Sequence, residues 1–177
     1  MSAGEHSDRA DVRAAIVRLA VLVVWPVPGF GQLNPGNPKT GEGEGQFGAP
    51  RAGTRRHAGI DIQAPVGTPV VAAGSGRVVD IRPNPSQTYG NQIVIDHGGG
   101  IFSHCAHLST LAVKPGVTVG AGQRIGTVGR TGNVPPLAHS HLHFEIRIGS
   151  AKPLSAGGKV RNPLDYLPEP PSAGLIA

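Results

Sequence analysis

One cysteine in 177 residues leaves no partner for an internal disulfide, so no covalent staple holds this chain. Aromatic residues are nearly as scarce: four Phe, two Tyr and one Trp. Proteins that grip nucleic acid pair basic tracks with stacking rings. Here the arginines are scattered and the rings few, which sets nucleic acid aside. No hydrophobic run is long enough to cross a bilayer. The uncharged stretch from Leu19 to Phe30 is 12 residues with two prolines, whereas a spanning helix needs roughly 20. The segment "AAIVRLAVLVVWPVPGF" resembles an export signal only in outline, because Arg18 interrupts it and no A-x-A site follows Trp25. Residues 1–24 therefore read as a leader, helical or disordered, that feeds a first strand near Trp25. Helical periodicity is missing too. No window from 57 to 150 sustains an apolar stripe of period 3.6.

What is abundant is glycine and proline. Twenty-seven glycines and seventeen prolines make up a quarter of the chain. The glycines fall between short apolar runs, the pattern of many turns between short strands. "GTPVVAAGSGRVVDIRP" reads as two strands around Gly74–Gly76. "NQIVIDHGGGIFSHCAHL" reads as a hairpin turning at Gly98–Gly100. "NPLDYL" suggests a short helical turn that closes the domain. The expected fold is all-β: an antiparallel domain with long loops. Residues 25–167 read as its single domain and 168–177 as a mobile tail. The net charge of +5 and the pI near 10.0 favour anionic partners: nucleic acid, a membrane surface or bacterial wall polymers.

The chemistry sits in the histidines. "HSHLHFEIR" places His139, His141 and His143 at alternate positions. On a strand they share one face with Glu145 and Arg147, while Leu142, Phe144 and Ile146 face the core. That face could be a solvated polar surface, or it could aim imidazoles at one point. In "HAGIDI", Ile60 and Ile62 point inward, so Asp61 points outward, with the backbone bent at Gly59. One His and one Asp from this turn plus a His from a second strand would suit Zn²⁺ with an open fourth position. Alone, the spacing of His57 and Asp61 is a weak motif and reads as a surface loop. In "HCAHLS", strand parity groups His107 with Cys105 and Ser103 and sends His104 and Ala106 to the other face.

Taken together, "HAGIDIQAPVGTPVVAAGSGRVV", "NQIVIDHGGGIFSHCAHLS", "VKPGVTVGAGQRIGTVGRTGN" and "HSHLHFEI" resemble, in this order, the lysostaphin-type zinc endopeptidases that cleave peptidoglycan. The resemblance covers about residues 42–167 and implies a twisted antiparallel sheet or partly open β-sandwich with long loops forming a groove. It implies His57, Asp61 and His143 as ligands of one Zn²⁺, and His141 and His107 as the catalytic pair. It implies zinc-assisted hydrolysis of peptide bonds in peptidoglycan stem peptides or cross-bridges. His141 is then the expected general base and His107 its partner or oxyanion stabiliser. One departure is visible: the family commonly has tyrosine two positions before the A-H-L histidine, where this chain has Cys105.

Cys105 is expected to pack in the core, with a reactive thiol near the metal as the alternative. His139 is expected at the rim, beyond a strand that Pro135–Pro136 interrupts. Asp96 and His97 read as turn residues bonded to backbone. Asn91 either lines the groove or ends the Gly90 turn. His6 carries no assignment. Arg55, Arg56, Arg77, Arg82 and Arg130 read as solvated charges on a basic rim. The expected partner is peptidoglycan, met by a monomer without stable membrane insertion. The expected site of action is the cell wall, reached by secretion or phage delivery. The competing function is a catalytically silent relative that binds wall or regulates a partner hydrolase. A biotinyl, lipoyl or phosphohistidine carrier is disfavoured: no lysine sits in a suitable hairpin turn, and Asp61 would repel a phosphohistidine.

Overall fold

The computed structural model describes residues 22–35, 44–134, 139–152 and 157–172. Ten strands form among the described residues: β1 (Ile60–Gln63), β2 (Pro69–Val71), β3 (Gly76–Arg82), β4 (Asn91–Asp96), β5 (Ile101–Leu108), β6 (Thr110–Leu111), β7 (Thr118–Val119), β8 (Arg124–Thr127), β9 (His141–Ile148) and β10 (Lys159–Arg161). All pairings are antiparallel. The larger sheet runs β1-β9-β5-β4-β3-β7, with β10 also paired to β9; the smaller runs β2-β8-β6. The fold is thus all-β and unclosed, as expected. The one helical element among the described residues is a 3₁₀ turn, Pro163–Asp165, capped by the Asn162 side chain at Leu164 N. No helix among them is long and apolar enough to cross a membrane.

Alternation decides which face is core. Ile60 and Ile62 of β1, Leu142, Phe144 and Ile146 of β9, Cys105 and Leu108 of β5, and Ile93 and Ile95 of β4 are buried in one cluster with Val70 and Ile125 of the smaller sheet. Each fully buried side chain of this size contributes roughly 1.5–3 kcal/mol. Leu22, Trp25 and Val27 belong to the same cluster, so the described end of the expected leader packs on the domain. No strand forms near Trp25, contrary to the sequence expectation. Pro26 and Pro28 have no N–H to offer a ladder, and the amides of Val23 and Val24 both settle on Ala73 O. In the expected tail, Pro170 and Pro171 lie against Gly31. The hairpin around Gly98–Gly100 joins β4 to β5, and those three glycines all hold positive φ.

The opposite face of the larger sheet carries the polar residues. β1 pairs with β9 so that Asp61 stands directly opposite His143 and Ile60 opposite Phe144. A small hairpin, with Pro50 paired to Arg56, delivers His57 to the start of β1.

Candidate metal centre

His57, Asp61 and His143 converge there, and all three are buried. His57 Nε2 lies 3.1 Å from Asp61 Oδ1 and 3.0 Å from His143 Nδ1; His143 Nδ1 lies 2.8 Å from Asp61 Oδ1. These three residues could hold a metal ion. Ligands about 2.0–2.1 Å from a tetrahedral zinc stand roughly 3.3 Å apart, within a few tenths of an ångström of this triangle.

The outward hydrogen bonds say which atoms face inward with lone pairs. A carbonyl oxygen only accepts, so His57 must donate from Nδ1 to Gln46 O, at 2.8 Å. His143 likewise donates from Nε2 to the Glu145 carboxylate at 2.9 Å. His57 Nε2, His143 Nδ1 and Asp61 Oδ1 then form a cluster of electron-rich atoms that needs a proton or a cation among them. Two imidazoles and one carboxylate are a donor set that suits zinc. Arg51 Nη2 reaches Asp61 Oδ2 at 3.4 Å, which leaves Oδ1 to the imidazoles.

The electrostatics agree. Burial lowers the His143 imidazole, but the carboxylates of Asp61 and Glu145 outweigh it and raise its pKa to about 9. Burial works to raise Asp61, yet bonds from His143 and His57 hold it well below the usual carboxylate range. Burial pushes His57 down. Without metal, this cluster keeps its proton on His143.

Two further imidazoles face the cluster. His141 donates from Nδ1 to His139 O at 2.8 Å, and its Nε2 lies 3.8 Å from Asp61 Oδ1. His107 donates from Nδ1 to Thr131 O at 2.8 Å. The His107 and His141 ring centroids are 5.1 Å apart. Burial pushes both pKa values down; in His107, with His143 and His141 adding to the effect, the value falls to about 3. Both rings are neutral near pH 7, each with an inward lone pair on Nε2.

Residues 55–159 match the family described as Peptidase family M23. The chain belongs to peptidase family M23. Over 100 residues it is 43% identical to peptidoglycan DD-endopeptidase ShyA of Vibrio cholerae, covering 56% of this chain and 22% of that protein. Over 123 residues it is 40% identical to murein hydrolase activator NlpD of Escherichia coli, covering 70% of this chain and 28% of NlpD. The catalytic domain of the antimicrobial peptidase lysostaphin from Staphylococcus simulans superposes with a TM-score of 0.59 at 33% identity, covering 70% of this chain and 89% of that domain. The match of this M23 chain spans well under half the length of ShyA and of NlpD.

Within this M23 fold, one sequence expectation about strand faces is reversed. Ala106 and His107 together oppose Gln92, because β5 carries one extra residue between the pairs Ile93↔Cys105 and Asn91↔Leu108. His107 takes φ +60°, a conformation uncommon outside glycine. Unbroken parity groups His107 with Cys105; the bulge turns it to the polar face instead. His104, assigned by parity to the far face, shares the face of His143 and bonds Gln92 and Arg147. Cys105 is buried among Ile93 and Phe144, and burial raises its thiol to about 12.

The other candidates fall as follows. His139 is exposed and precedes β9; Pro135 and Pro136 lie outside the described residues, as does His6. Asp96 Oδ1 accepts from Gly98 N at 2.8 Å, and His97 bridges Ser75 O and Ser103 Oγ. Asn91 donates to Leu108 O at 3.0 Å, a bond within the sheet. Arg55, Arg56, Arg77, Arg82 and Arg130 are exposed, and Arg82 pairs with Asp80. Sequence reasoning missed Gln46, Arg51 and Thr131, which steady the cluster from loops. It saw Glu145 and Arg147 on the polar face but gave them no role.

Proposed function

We propose that this protein is a zinc-dependent endopeptidase that hydrolyses peptide bonds in peptidoglycan stem peptides or cross-bridges. The carrying observation is the convergence of three inward lone-pair donors, His57 Nε2, Asp61 Oδ1 and His143 Nδ1, beside two neutral imidazoles. Membership of family M23 and similarity to a peptidoglycan DD-endopeptidase support the substrate class. Similarity to a zinc containing peptidase from Vibrio cholerae, at 31% identity and a TM-score of 0.57, supports the metal. The site of action is the cell wall, and the partner is peptidoglycan met by a single copy of the chain.

Bound by His57, Asp61 and His143, zinc would supply Lewis acidity toward a carbonyl oxygen and toward water. His141 Nε2 takes the proton of the attacking water. Its Nδ1–H is committed to His139 O, so only Nε2 is open to accept. Asp61, 3.8 Å away, favours the imidazolium that results. That proton then passes from His141 Nε2 to the leaving amine. His107, anchored on Thr131 O and with its ring 5.1 Å from that of His141, is the partner of His141 or the stabiliser of the oxyanion.

A second reading has its own support: the relatives include murein hydrolase activators. A silent member would bind wall or regulate a partner hydrolase without cutting. Incubation with sacculi of several cross-link types separates the two readings. Mass spectrometry should find new amine ends that disappear with chelator and in His141→Ala, at a cost of roughly 10²–10⁴ in rate. No new ends from zinc-loaded protein on any sacculus would move the assignment to the silent reading.

A further inference from the structure

The polar face of β9 continues past the proposed ligands. Glu145 and Arg147 follow His143 at the same two-residue spacing, so all three project from one side. Yet Glu145 is fully buried and Arg147 is 2% exposed. Burying an ion pair is costly, and apolar replacements of similar volume are often neutral or stabilising. Stability alone therefore gives little reason for this pair.

Every polar atom of the pair is engaged. Glu145 Oε1 accepts from His143 Nε2 at 2.9 Å and from the Tyr89 hydroxyl at 2.8 Å; Oε2 accepts from Arg147 Nε at 2.8 Å. Arg147 also donates to Ala151 O at 2.7 Å and to His104 Nδ1 at 2.6 Å. His104 Nε2 donates onward to Gln92 Oε1 at 2.9 Å. The connected run His143, Glu145, Arg147, His104, Gln92 spans β9, β5 and β4. No buried side-chain nitrogen or oxygen among the described residues lacks a partner. His104, His143 and Glu145 are close enough to suggest a second metal group, but the Arg147 guanidinium already fills that space.

The direction of these bonds is forced. Arg147 only donates, so His104 Nδ1 must accept and its hydrogen sits on Nε2. The Glu145 carboxylate only accepts, so His143 must supply a hydrogen at Nε2. That leaves His143 Nδ1 as the atom aimed at Asp61 and His57. A flipped ring would present Cε1 to the Glu145 carboxylate and Cδ2 to Asp61, and lose both bonds.

We propose that Glu145 is a positioning residue for the metal, fixing the tautomer and ring plane of His143, with Arg147 and His104 holding it in place. This rests on the reading of His57, Asp61 and His143 as zinc ligands. None of the three supporting residues touches substrate. They act through His143, as outer partners of metal-bound histidines do.

The test uses the full chain as Glu145→Gln and as the double variant Glu145→Leu, Arg147→Met. Zn²⁺ is titrated into metal-free protein against a chromophoric chelator, and the metal-free melting temperature is recorded. Both variants should bind zinc roughly 10–100-fold more weakly. Both variants should also melt lower without metal, because the Tyr89 hydroxyl and His143 Nε2 and, in the double variant, His104 Nδ1 and Ala151 O lose or weaken buried hydrogen bonds. The deciding readout is the zinc affinity of the protein that remains folded at the titration temperature. A merely structural role predicts the lower melting temperature with intact zinc affinity. Zinc affinity within threefold of wild type, in either variant that folds, overturns the proposal. Nitrogen-15 shifts of zinc-loaded wild type decide independently of any variant. His143 with its hydrogen on Nε2 and metal at Nδ1 supports it; metal at Nε2 overturns it. Wild-type protein that takes up no zinc brings down the underlying reading too, whereas equal binding by wild type and variants brings down this inference alone.

Discussion

Gly59→Ala isolates why a glycine stands between His57 and Asp61. A Cβ at residue 59 would sit 2.2 Å from Phe144 O and 2.9 Å from Glu145 Cγ, where ordinary contact begins at 3.4 Å. The obstacle at 2.2 Å is backbone of β9, which cannot swing aside like a side-chain tip. β1 would have to retreat by roughly an ångström from a neighbour about 4.8 Å away. Overpacking of this kind costs typically 1–3 kcal/mol, and each weakened ladder bond adds about 1 kcal/mol. The expected destabilisation is about 3 kcal/mol. The same retreat moves Asp61 away from His143 across the strand pair, so zinc affinity should fall at least tenfold with it. Urea unfolding of metal-free protein measures the first effect and chelator competition the second. A Gly59→Ala protein within 1 kcal/mol of wild type, with wild-type zinc affinity, would refute the close-approach argument.

Three shorter predictions accompany it. Chelation should lower the melting temperature: zinc at a thousandfold over its Kd contributes about 4 kcal/mol, or roughly 8–16 °C in a chain of this size, read by calorimetry with and without chelator. Cys105, buried and with its thiol raised to about 12, should resist an aromatic disulfide reagent at pH 8 in native protein and react fully in urea; rapid native labelling would contradict its core placement. Burial lowers the His97 pKa, so below about pH 6.5 the unfolded chain binds a proton that the native one resists. Stability should therefore fall as pH drops from 7.5 to 5.5, and His97→Gln should flatten that slope in urea midpoints.

Much of the architecture was legible because it rests on period-two alternation. "HLHFEIRI" announced β9 and its two faces, Ile60 and Ile62 oriented Asp61, and the three glycines at 98–100 marked the β4–β5 turn. The errors arose where the ladder departs from that period. Ala106 and His107 carry no glycine or proline to mark a bulge, so parity grouped His107 with Cys105 and turned His104 away from the site. Near Trp25 the apolar composition suggested a strand, but two prolines withhold the donors a strand must offer. Glu145 and Arg147 were visible as polar residues on a polar face. Their burial was not, because alternation gives direction and says nothing of what covers each side. Gly59 looked like a bend; its tighter constraint is the β9 backbone, which becomes a neighbour only through pairing at long range.

That pairing also sets a clock. His57 and His143 are separated by 86 positions, so pairing β1 with β9 closes a long loop of chain. Contacts of such sequence separation form late and slowly. Partly folded chains, whether on the ribosome or in transit, would hold the individual imidazoles but not the cluster. Assembly of the cluster should thus come at the end of folding. In stopped-flow refolding, zinc uptake should coincide with the slowest phase; uptake during an early phase would show the cluster assembling ahead of the sheet.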